Sequence, residues 1–232
     1  MTTNSTAAGP SSWPKTGLAS VFAFAARSNR HAVALLFLIS LVVFLPGFFQ
    51  LPPLDRDESR FAQATKQMIE TGDFVDIRYQ EEVRYKKPVG IYWLQAAAVK
   101  TAAALGVADA RNTIWLYRIP SLVGAIGAVL ATYWAALAFV SRRGAMLAAL
   151  MVAASPLLGV EARIATTDAV LLLTSVVAMG ALGRGYLAAR KADDRPLGWG
   201  LLAVLWTAVA VGILIKGPLL SLIHISEPTR RS

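Results

Sequence analysis

The sequence predicts an all-α protein that crosses a membrane several times, and its composition is the first reason. Of the 232 residues, 56% are hydrophobic, and the mean hydropathy is +0.52. That is too apolar for a soluble domain, and the charged residues lie between long apolar blocks rather than within them. The net charge of +9 comes from Lys and Arg residues in short clusters beside those blocks. Such clusters orient membrane proteins, so the charge does not indicate a nucleic-acid-binding protein.

The first apolar block is preceded by residues 1–30, which are rich in Ser, Thr, Ala and Pro. A segment of this composition buries little surface, and we predict a mobile cytoplasmic leader. Residues 31–49 then have about the length of a hydrocarbon core and carry no acidic or basic residue after His31. We predict that they form the first span. Because Arg27 and Arg30 precede it, the positive-inside rule predicts that the chain emerges on the outer face.

A polar outer loop is predicted over residues 50–118, and its first part has the pattern of a helix from 55 to 71. Asp55 followed by Glu58 resembles a capping box, with Asp in place of the usual Ser or Thr. Helix capping therefore explains Asp55 and Glu58, but it does not explain Asp57.

Residues 89–107 are long enough to span a membrane, yet they contain Gln95 and Lys100 near their middle. A lysine at that depth costs about 2.5 to 3.5 kcal/mol on insertion scales. The apolar residues instead form a stripe at helical spacing, with Pro88 near the first turn. This pattern favours a helix that lies in the membrane interface.

Four later apolar runs complete a predicted membrane domain of residues 31–222, and their orientation tests the interfacial helix. If residues 89–107 do not cross, every basic cluster between the later runs lies on the inner side, as the positive-inside rule requires. If they cross, those clusters face outward. The predicted spans after the outer loop are 119–140, 145–160, 169–187 and 197–215.

The charged groups that this topology brings to the outer face carry a resemblance to a known family. The segments are Asp57-Glu58-Ser59-Arg60-Phe61-Ala62, Lys87-Pro88, Arg118-Ile119-Pro120-Ser121, Glu161-Ala162-Arg163 and Asp168. In order and spacing they resemble the amino-terminal half of polyprenyl-phosphate-dependent glycosyltransferases. More narrowly, the chain resembles the aminoarabinose lipid A transferases, relatives of the protein mannosyltransferases with the GT-C fold.

This resemblance implies a multi-pass protein of the inner (plasma) membrane with its active site on the outer, periplasmic face. It also implies a sugar donor linked to polyprenyl phosphate and a lipid A-like or other outer-face acceptor. Residues 223–232 depart from the family pattern, and we expect them to be a tail foreign to the family. Two alternatives stay open: a component of a multi-span transporter, although no paired repeat is visible, and an inactive truncated fragment.

The residues also suggest a mechanism. Sugar transfer to a hydroxyl needs a carboxylate that accepts the hydroxyl proton, and Asp57 is the candidate base, with Glu58 beside it. The alternative for Asp57 is a helix-end carboxylate paired with Arg56 or Arg60. Asp168 is a second candidate catalytic carboxylate at the same face, where the family also has an acidic residue. Its alternative role is to cap the following helix.

A phosphate leaving group needs positive charge or a metal ion. Lys87 resembles the family lysine that contacts the donor phosphate, and its alternative is a lysine that snorkels at the interface. Arg163 and Lys216 are further phosphate candidates, with structural or interfacial roles as the alternative. Lys86 stands where the aminoarabinose transferases typically carry a glutamate implicated in metal binding. A cation cannot ligate a divalent metal, so Lys86 argues against that metal site, although a divalent metal cofactor stays open as an alternative, and we predict that Lys86 helps to hold phosphate.

Overall fold

Helices make up nearly all of the regular structure. The computed structural model describes residues 17–25, 27–85, 87–190 and 198–218. Its elements, in chain order, are α1 (Gly17–Ala25), α2 (Asn29–Phe44), α3 (Arg56–Thr71), β1 (Arg78–Tyr79), β2 (Glu82–Val83), α4 (Gly90–Ala104), a 3-10 turn (Ala110–Asn112), α5 (Ile114–Ala136), α6 (Arg142–Ala153), α7 (Pro156–Glu161), α8 (Asp168–Arg190) and α9 (Trp199–Lys216).

Helix α5 is the centre of the bundle. It packs most extensively against α8 and also contacts α2, α4, α6 and α7. Small residues allow the closest approach: a Cβ on Gly124 would lie 2.8 Å from the backbone nitrogen of Val170. The first turn of α8 is therefore held directly against the backbone of α5, which fixes the position of the residue that begins α8, Asp168.

Within the described part of the chain, α5, α8 and α9 are long and apolar enough to cross a membrane, and α2 is a shorter apolar helix. Helices α5, α8, α9 and α2 correspond, in that order, to the predicted spans 119–140, 169–187, 197–215 and 31–49. The ends of each helix differ from those of its predicted span by up to five residues. Of the predicted leader, the structure describes residues 17–25 and 27–30, whereas residues 1–16, Ala26 and the predicted tail 223–232 lie outside the described residues.

The span predicted over residues 145–160 stays a prediction, but these residues do not form one continuous helix, because the chain breaks between α6 and α7. Pro156 has no backbone N–H and its ring clashes with the preceding turn, so a helix cannot continue through it unkinked. Ser155 takes an extended conformation, as residues before proline do, and its side chain accepts a hydrogen bond from the Leu158 backbone N–H. The Ser-Pro pair therefore ends one helix and begins the next.

The segment between α2 and α5 forms a layer at one end of the bundle, with α3 packed on α4 and on the short β1–β2 hairpin. Helix α4 has 15 residues and is not among the helices long enough to span. Its Lys100 ammonium lies 4.9 Å from the centre of the Phe74 ring, which belongs to this same layer. The position of α4 in the membrane interface stays a prediction.

Candidate active site

The amino-terminal end of α3 presents Asp57. Asp55 precedes the helix in an extended conformation, and its side chain accepts a hydrogen bond of 3.1 Å from the Asp57 backbone N–H. Glu58 reaches back in turn, but its Oε2 accepts from the Leu54 N–H at 3.1 Å rather than from Asp55. The predicted capping pair therefore exists with its second bond shifted by one residue. The side chains of Asp55 and Glu58 make these capping bonds, so the Asp57 side chain is not needed for them. It is 56% exposed.

Asp57 has one charged neighbour on its own helix. The Arg60 Nη1 lies 3.5 Å from the Asp57 Oδ1, and the two side chains are 31% and 56% exposed. An exposed pair at this distance contributes little and exchanges readily with solvent. The predicted alternative, a helix-end carboxylate paired with Arg60, thus describes the local geometry but leaves the carboxylate able to accept a proton.

Glu58 has a different environment, because it forms a fully buried ion pair. The Arg118 Nε donates to the Glu58 Oε1 at 2.6 Å, and neither side chain is exposed. The other guanidinium nitrogens of Arg118 donate to the carbonyls of Phe48, Leu51 and Pro52 at 2.9 to 3.1 Å. A buried pair is tolerated when its remaining hydrogen-bonding groups are satisfied, as they are here. The pair fastens the end of α2, the start of α3 and helix α5 together.

Glu58 also reaches the connection that leads to α8. Its Oε1 accepts from the Ala165 N–H at 3.1 Å, and the Ser121 hydroxyl donates to the Thr166 carbonyl at 3.1 Å. This carboxylate is enclosed by donors and does not reach solvent, so its geometry does not favour the catalytic role predicted for it. It instead ties the start of α3, which carries Asp57, to the connection that leads to Asp168.

Asp168 and Lys216 are brought together by the antiparallel packing of α8 and α9. Asp168 begins α8 and Lys216 ends α9, and the Lys216 ammonium donates to the Asp168 carboxylate. Each charge also suits its helix end, since carboxylates are favoured at amino termini and cations at carboxyl termini. The Asp168 side chain is 46% exposed and that of Lys216 is 24% exposed. Two residues predicted separately from the sequence thus form one polar pair.

Glu161 joins this pair, although the sequence argument gave it no role of its own. Burial raises the pKa of Glu161 above its ordinary value of 4.5. The Thr166 hydroxyl, which donates to it at 2.7 Å, opposes the rise. The negative charge of nearby Asp168 raises the pKa of Glu161 further, and the positive charge of Lys216 lowers it. Glu161, Asp168 and Lys216 are therefore one electrostatically coupled group.

Lys87 lies beside the end of α9 because the chain leading into α4 packs closely there. A Cβ on Gly90 would lie 2.5 Å from the Leu214 carbonyl oxygen, and one on Gly217 would lie 4.0 Å from the Pro88 ring. Lys87 is partly buried, and no described carboxylate forms an ion pair with its ammonium. Lys86 lies outside the described residues.

Arg163 is used structurally. Its Nε donates to the Pro46 carbonyl at 2.7 Å, its Nη2 donates to the Val43 carbonyl at 2.5 Å, and its Nη1 donates to the Gly159 carbonyl. These contacts satisfy carbonyls at the end of α2 and hold that end to α7. With its nitrogens engaged in this way, the geometry of Arg163 does not favour the phosphate-binding role predicted for it.

A further basic side chain, that of Arg84, packs on α3 one turn beyond Asp57, and the sequence did not single it out. The Arg84 guanidinium lies 5.6 Å from the centre of the Phe61 ring, and Phe61 lies one helical turn beyond Asp57 on the same face. The rings of Phe61 and Tyr92 are 5.5 Å apart. Arg84 lies in a loop with many charges, so nothing local distinguished it from its neighbours.

No group of three or more His, Asp or Glu residues in the described part of the chain is arranged to hold a metal ion. Glu161 and Asp168 lie near each other, but Lys216 occupies the second carboxylate. These residues do not fit a divalent metal. That Lys86 replaces a metal-binding glutamate and helps to hold phosphate stays a prediction, since Lys86 is not described.

Comparison with known proteins identifies the relatives of the chain. Residues 34–225 match the dolichyl-phosphate-mannose-protein mannosyltransferase family. An undecaprenyl phosphate-alpha-4-amino-4-deoxy-L-arabinose arabinosyl transferase from Pseudomonas aeruginosa is 30% identical over 185 residues, which are 77% of this chain and 32% of that protein. An uncharacterized protein from Aquifex aeolicus is 30% identical over 184 residues, covering 79% of this chain and 39% of the relative. The chain thus spans about a third of the length of these relatives.

Two crystal structures of ArnT from Cupriavidus metallidurans have a similar fold. The apo structure matches with a TM-score of 0.69 and 23% identity, covering 83% of this chain and 35% of that one. The structure bound to undecaprenyl phosphate matches with a TM-score of 0.69 and 22% identity, covering 82% and 33%. This likeness confirms the predicted GT-C-like helical membrane fold.

The family match covers most of the chain and includes every charged residue of the candidate site, whereas Arg27 and Arg30 precede it. Glycosyltransferases, not transporters, are the named relatives at 30% identity. The chain therefore belongs to the dolichyl-phosphate-mannose-protein mannosyltransferase family of membrane glycosyltransferases.

Proposed function

We propose that this chain forms the donor side of a membrane glycosyltransferase that moves a sugar from polyprenyl phosphate to an acceptor hydroxyl, with Asp57 as the base. One observation carries the proposal: the exposed Asp57 carboxylate, the Asp168–Lys216 pair and Lys87, which forms no ion pair with a described carboxylate, are brought to one end of the helical bundle. The relatives support the donor, since one is named for undecaprenyl phosphate and another was crystallised with it.

The reaction is a direct displacement at the anomeric carbon of the donor sugar. The acceptor oxygen forms the new bond while the bond from the anomeric carbon to the phosphate oxygen breaks, and the bonding electrons leave with the phosphate. The acceptor proton passes to Asp57, which is exposed and held at the start of α3. The ammonium of Lys87 stabilises the charge that develops on the departing phosphate.

The Asp168–Lys216 pair serves the same reaction by placing a cation near Lys87. Asp168 holds one N–H of the Lys216 ammonium, which leaves its other donors for a phosphate or sugar oxygen. We infer that the site faces the periplasm and that the acceptor is a lipid A-like glycolipid or another outer-face hydroxyl compound. No step of this mechanism requires a metal ion.

The test is sugar transfer from a polyprenyl-phosphate donor to membrane lipid in membranes that contain the protein. We expect Asp57→Asn to lower the rate by about 10²- to 10⁴-fold, the usual contribution of a general base. Asp109→Asn is the matched control. Asp109 lies in the same predicted outer loop, residues 50–118, and its φ of 50° is one that Asn adopts as readily as Asp.

Full activity of Asp57→Asn would remove the base assignment. If wild-type membranes bind polyprenyl phosphate but transfer no sugar, the chain by itself supplies only donor binding, as expected for the inactive-fragment alternative. If they do neither, the proposed function is wrong for this chain.

A further inference from the structure

We infer that Arg84 is a ligand of the donor phosphate and acts together with Lys87. The inference rests on the proposed function and adds a residue to that site. Arg84 lies three residues before Lys87, in the chain that leaves the β1–β2 hairpin and enters α4. The two cations therefore approach the site from one segment, which Gly90 holds against α9.

Arg84 is held on the same face of α3 as Asp57. Its guanidinium lies over the Phe61 ring, and residues four apart on a helix are neighbours, so Phe61 connects it to Asp57. Tyr92 packs against Phe61 from α4 and is fully buried. An aromatic face holds the plane of a guanidinium while its edge remains free to bind.

Arg84 is also available to bind an anion. Its Nε and the Tyr92 hydroxyl are both buried without a hydrogen bond of normal geometry in the described part of the chain, although the guanidinium lies close enough to the hydroxyl to act on the pKa of Tyr92. No carboxylate in that part of the chain pairs with Arg84. Buried donors without acceptors are unfavourable, and a bound group that supplies oxygen acceptors removes that penalty.

Three other arginines of this end of the molecule differ in this respect. The guanidinium nitrogens of Arg118 donate to the Glu58 carboxylate and to backbone carbonyls, those of Arg163 donate to backbone carbonyls, and Arg78 pairs with Asp76 at 2.7 Å. Arg84 alone among these four keeps a buried guanidinium nitrogen without an acceptor.

A phosphate fits the vacant donors better than a carboxylate or a sugar hydroxyl does. A guanidinium presents parallel N–H groups that match the two non-bridging oxygens of the donor phosphodiester, and the bridging oxygen that departs from the sugar remains for the ammonium of Lys87. The Tyr92 hydroxyl supplies a further donor. Burial raises the pKa of Tyr92 more than the nearby Arg84 lowers it, so this hydroxyl stays protonated at neutral pH.

The test measures binding of polyprenyl phosphate to the purified chain in detergent micelles, with polyprenol, inorganic phosphate and phosphatidylglycerol as comparison ligands. We expect Arg84→Gln to weaken polyprenyl phosphate binding about tenfold, the loss of one charge-assisted contact. Lys87→Gln should weaken it to a similar extent. Arg78→Gln is the matched control, since Arg78 lies in the same layer but is already paired with Asp76.

A second measurement needs no variant and therefore does not depend on whether Arg84→Gln folds. The wild-type chain is treated with phenylglyoxal, which modifies guanidinium groups, and the modification of Arg84 is measured by mass spectrometry. We expect polyprenyl phosphate, but not polyprenol, to protect Arg84 relative to Arg78.

The outcomes separate the two proposals. If the wild type binds polyprenyl phosphate no better than polyprenol, the proposed function fails. A second outcome is that the wild type prefers polyprenyl phosphate to polyprenol and Lys87→Gln loses that preference. If in that case Arg84 is not protected from phenylglyoxal and Arg84→Gln binds normally, only the inference about Arg84 is overturned. If inorganic phosphate or phosphatidylglycerol competes equally well, Arg84 belongs to a general anion site and the donor assignment is overturned.

Discussion

At the scale of single residues, two neighbouring carboxylates have opposite environments. Asp57 is exposed and loosely paired, whereas Glu58 is enclosed by Arg118 and two backbone N–H groups. The difference follows from helical geometry, because adjacent residues on a helix point about 100° apart. One of them faces solvent when the other faces the packed layer below. The Asp-Glu pair is therefore a base candidate beside a residue that positions it.

The positioning role of Glu58 can be tested by its effect on stability. Glu58→Gln leaves the Arg118 charge buried without its partner, which we expect to destabilise the fold by about 3 to 5 kcal/mol. Thermal unfolding of the purified chain measures this. Glu70→Gln is the matched control, because its pair with Lys66 is long, at 3.9 Å, and exposed, and its loss should change stability by less than about 1 kcal/mol. Unchanged stability with lost sugar transfer would instead assign Glu58 to the chemistry.

At the scale of elements, the site depends on how closely two helix ends approach each other. Helix α4 begins at Gly90, where its backbone lies against the last turn of α9, and this contact places Lys87 near Lys216. Helix α8 begins against the backbone of α5 at Gly124. Neither contact leaves room for a side chain in place of the glycine. The positions of Lys87 and Asp168 therefore depend on where glycine allows two helices to touch.

Gly90→Ala should disturb the site more than the fold. The added Cβ would lie 2.5 Å from the Leu214 oxygen, so α4 and α9 must separate. We expect about 1 to 3 kcal/mol of destabilisation from overpacking, together with weaker polyprenyl phosphate binding, because Lys87 moves away from Lys216. Gly200→Ala is the control, since nothing lies within 4 Å of a Cβ there. Normal binding by a stably folded Gly90→Ala variant would show that the contact is not needed to place Lys87.

At the scale of the whole molecule, the helices that can span a membrane and the polar layer between α2 and α5 have separate roles. Helices α5, α8 and α9 supply apolar length, and the layer with α3 and α4 supplies most of the candidate site residues. The two parts meet where Arg118 of α5 binds Glu58 of α3. The proposed orientation puts this layer on the periplasmic side and the α5–α6 turn on the cytoplasmic side.

The orientation predicts which positions a thiol reagent reaches from outside. The chain has no cysteine, so single substitutions report cleanly. We expect Val75→Cys and Leu105→Cys, both 79% exposed, to be labelled in intact cells by a reagent that does not cross the membrane. Val140→Cys, 48% exposed at the α5–α6 turn, should be labelled only after permeabilisation. Labelling of Val140→Cys but not Leu105→Cys in intact cells would mean that α4 crosses the membrane.

Much of the fold could be predicted from the sequence because it depends on local patterns. Hydropathy over about 20 residues located α2, α5, α8 and α9, and the Asp55 cap located the start of α3. The break at Ser155-Pro156 was missed when hydropathy alone was used, although the proline was a local signal for it. The family resemblance likewise followed from the order and spacing of charged motifs.

The roles of individual charges could not be predicted in this way, because they depend on partners far along the chain. Glu58 and Arg118 are 60 residues apart, and Arg163 binds carbonyls more than 100 residues before it. A buried charge takes whichever partner helix packing brings within about 3 Å, and the sequence does not specify that packing locally. The sequence by itself determined the membrane helices, the cap of α3 and the candidate base. Only the tertiary structure decided that Glu58 and Arg163 hold the fold together, that Asp168 meets Lys216, and that Arg84 packs on the Phe61 ring of α3.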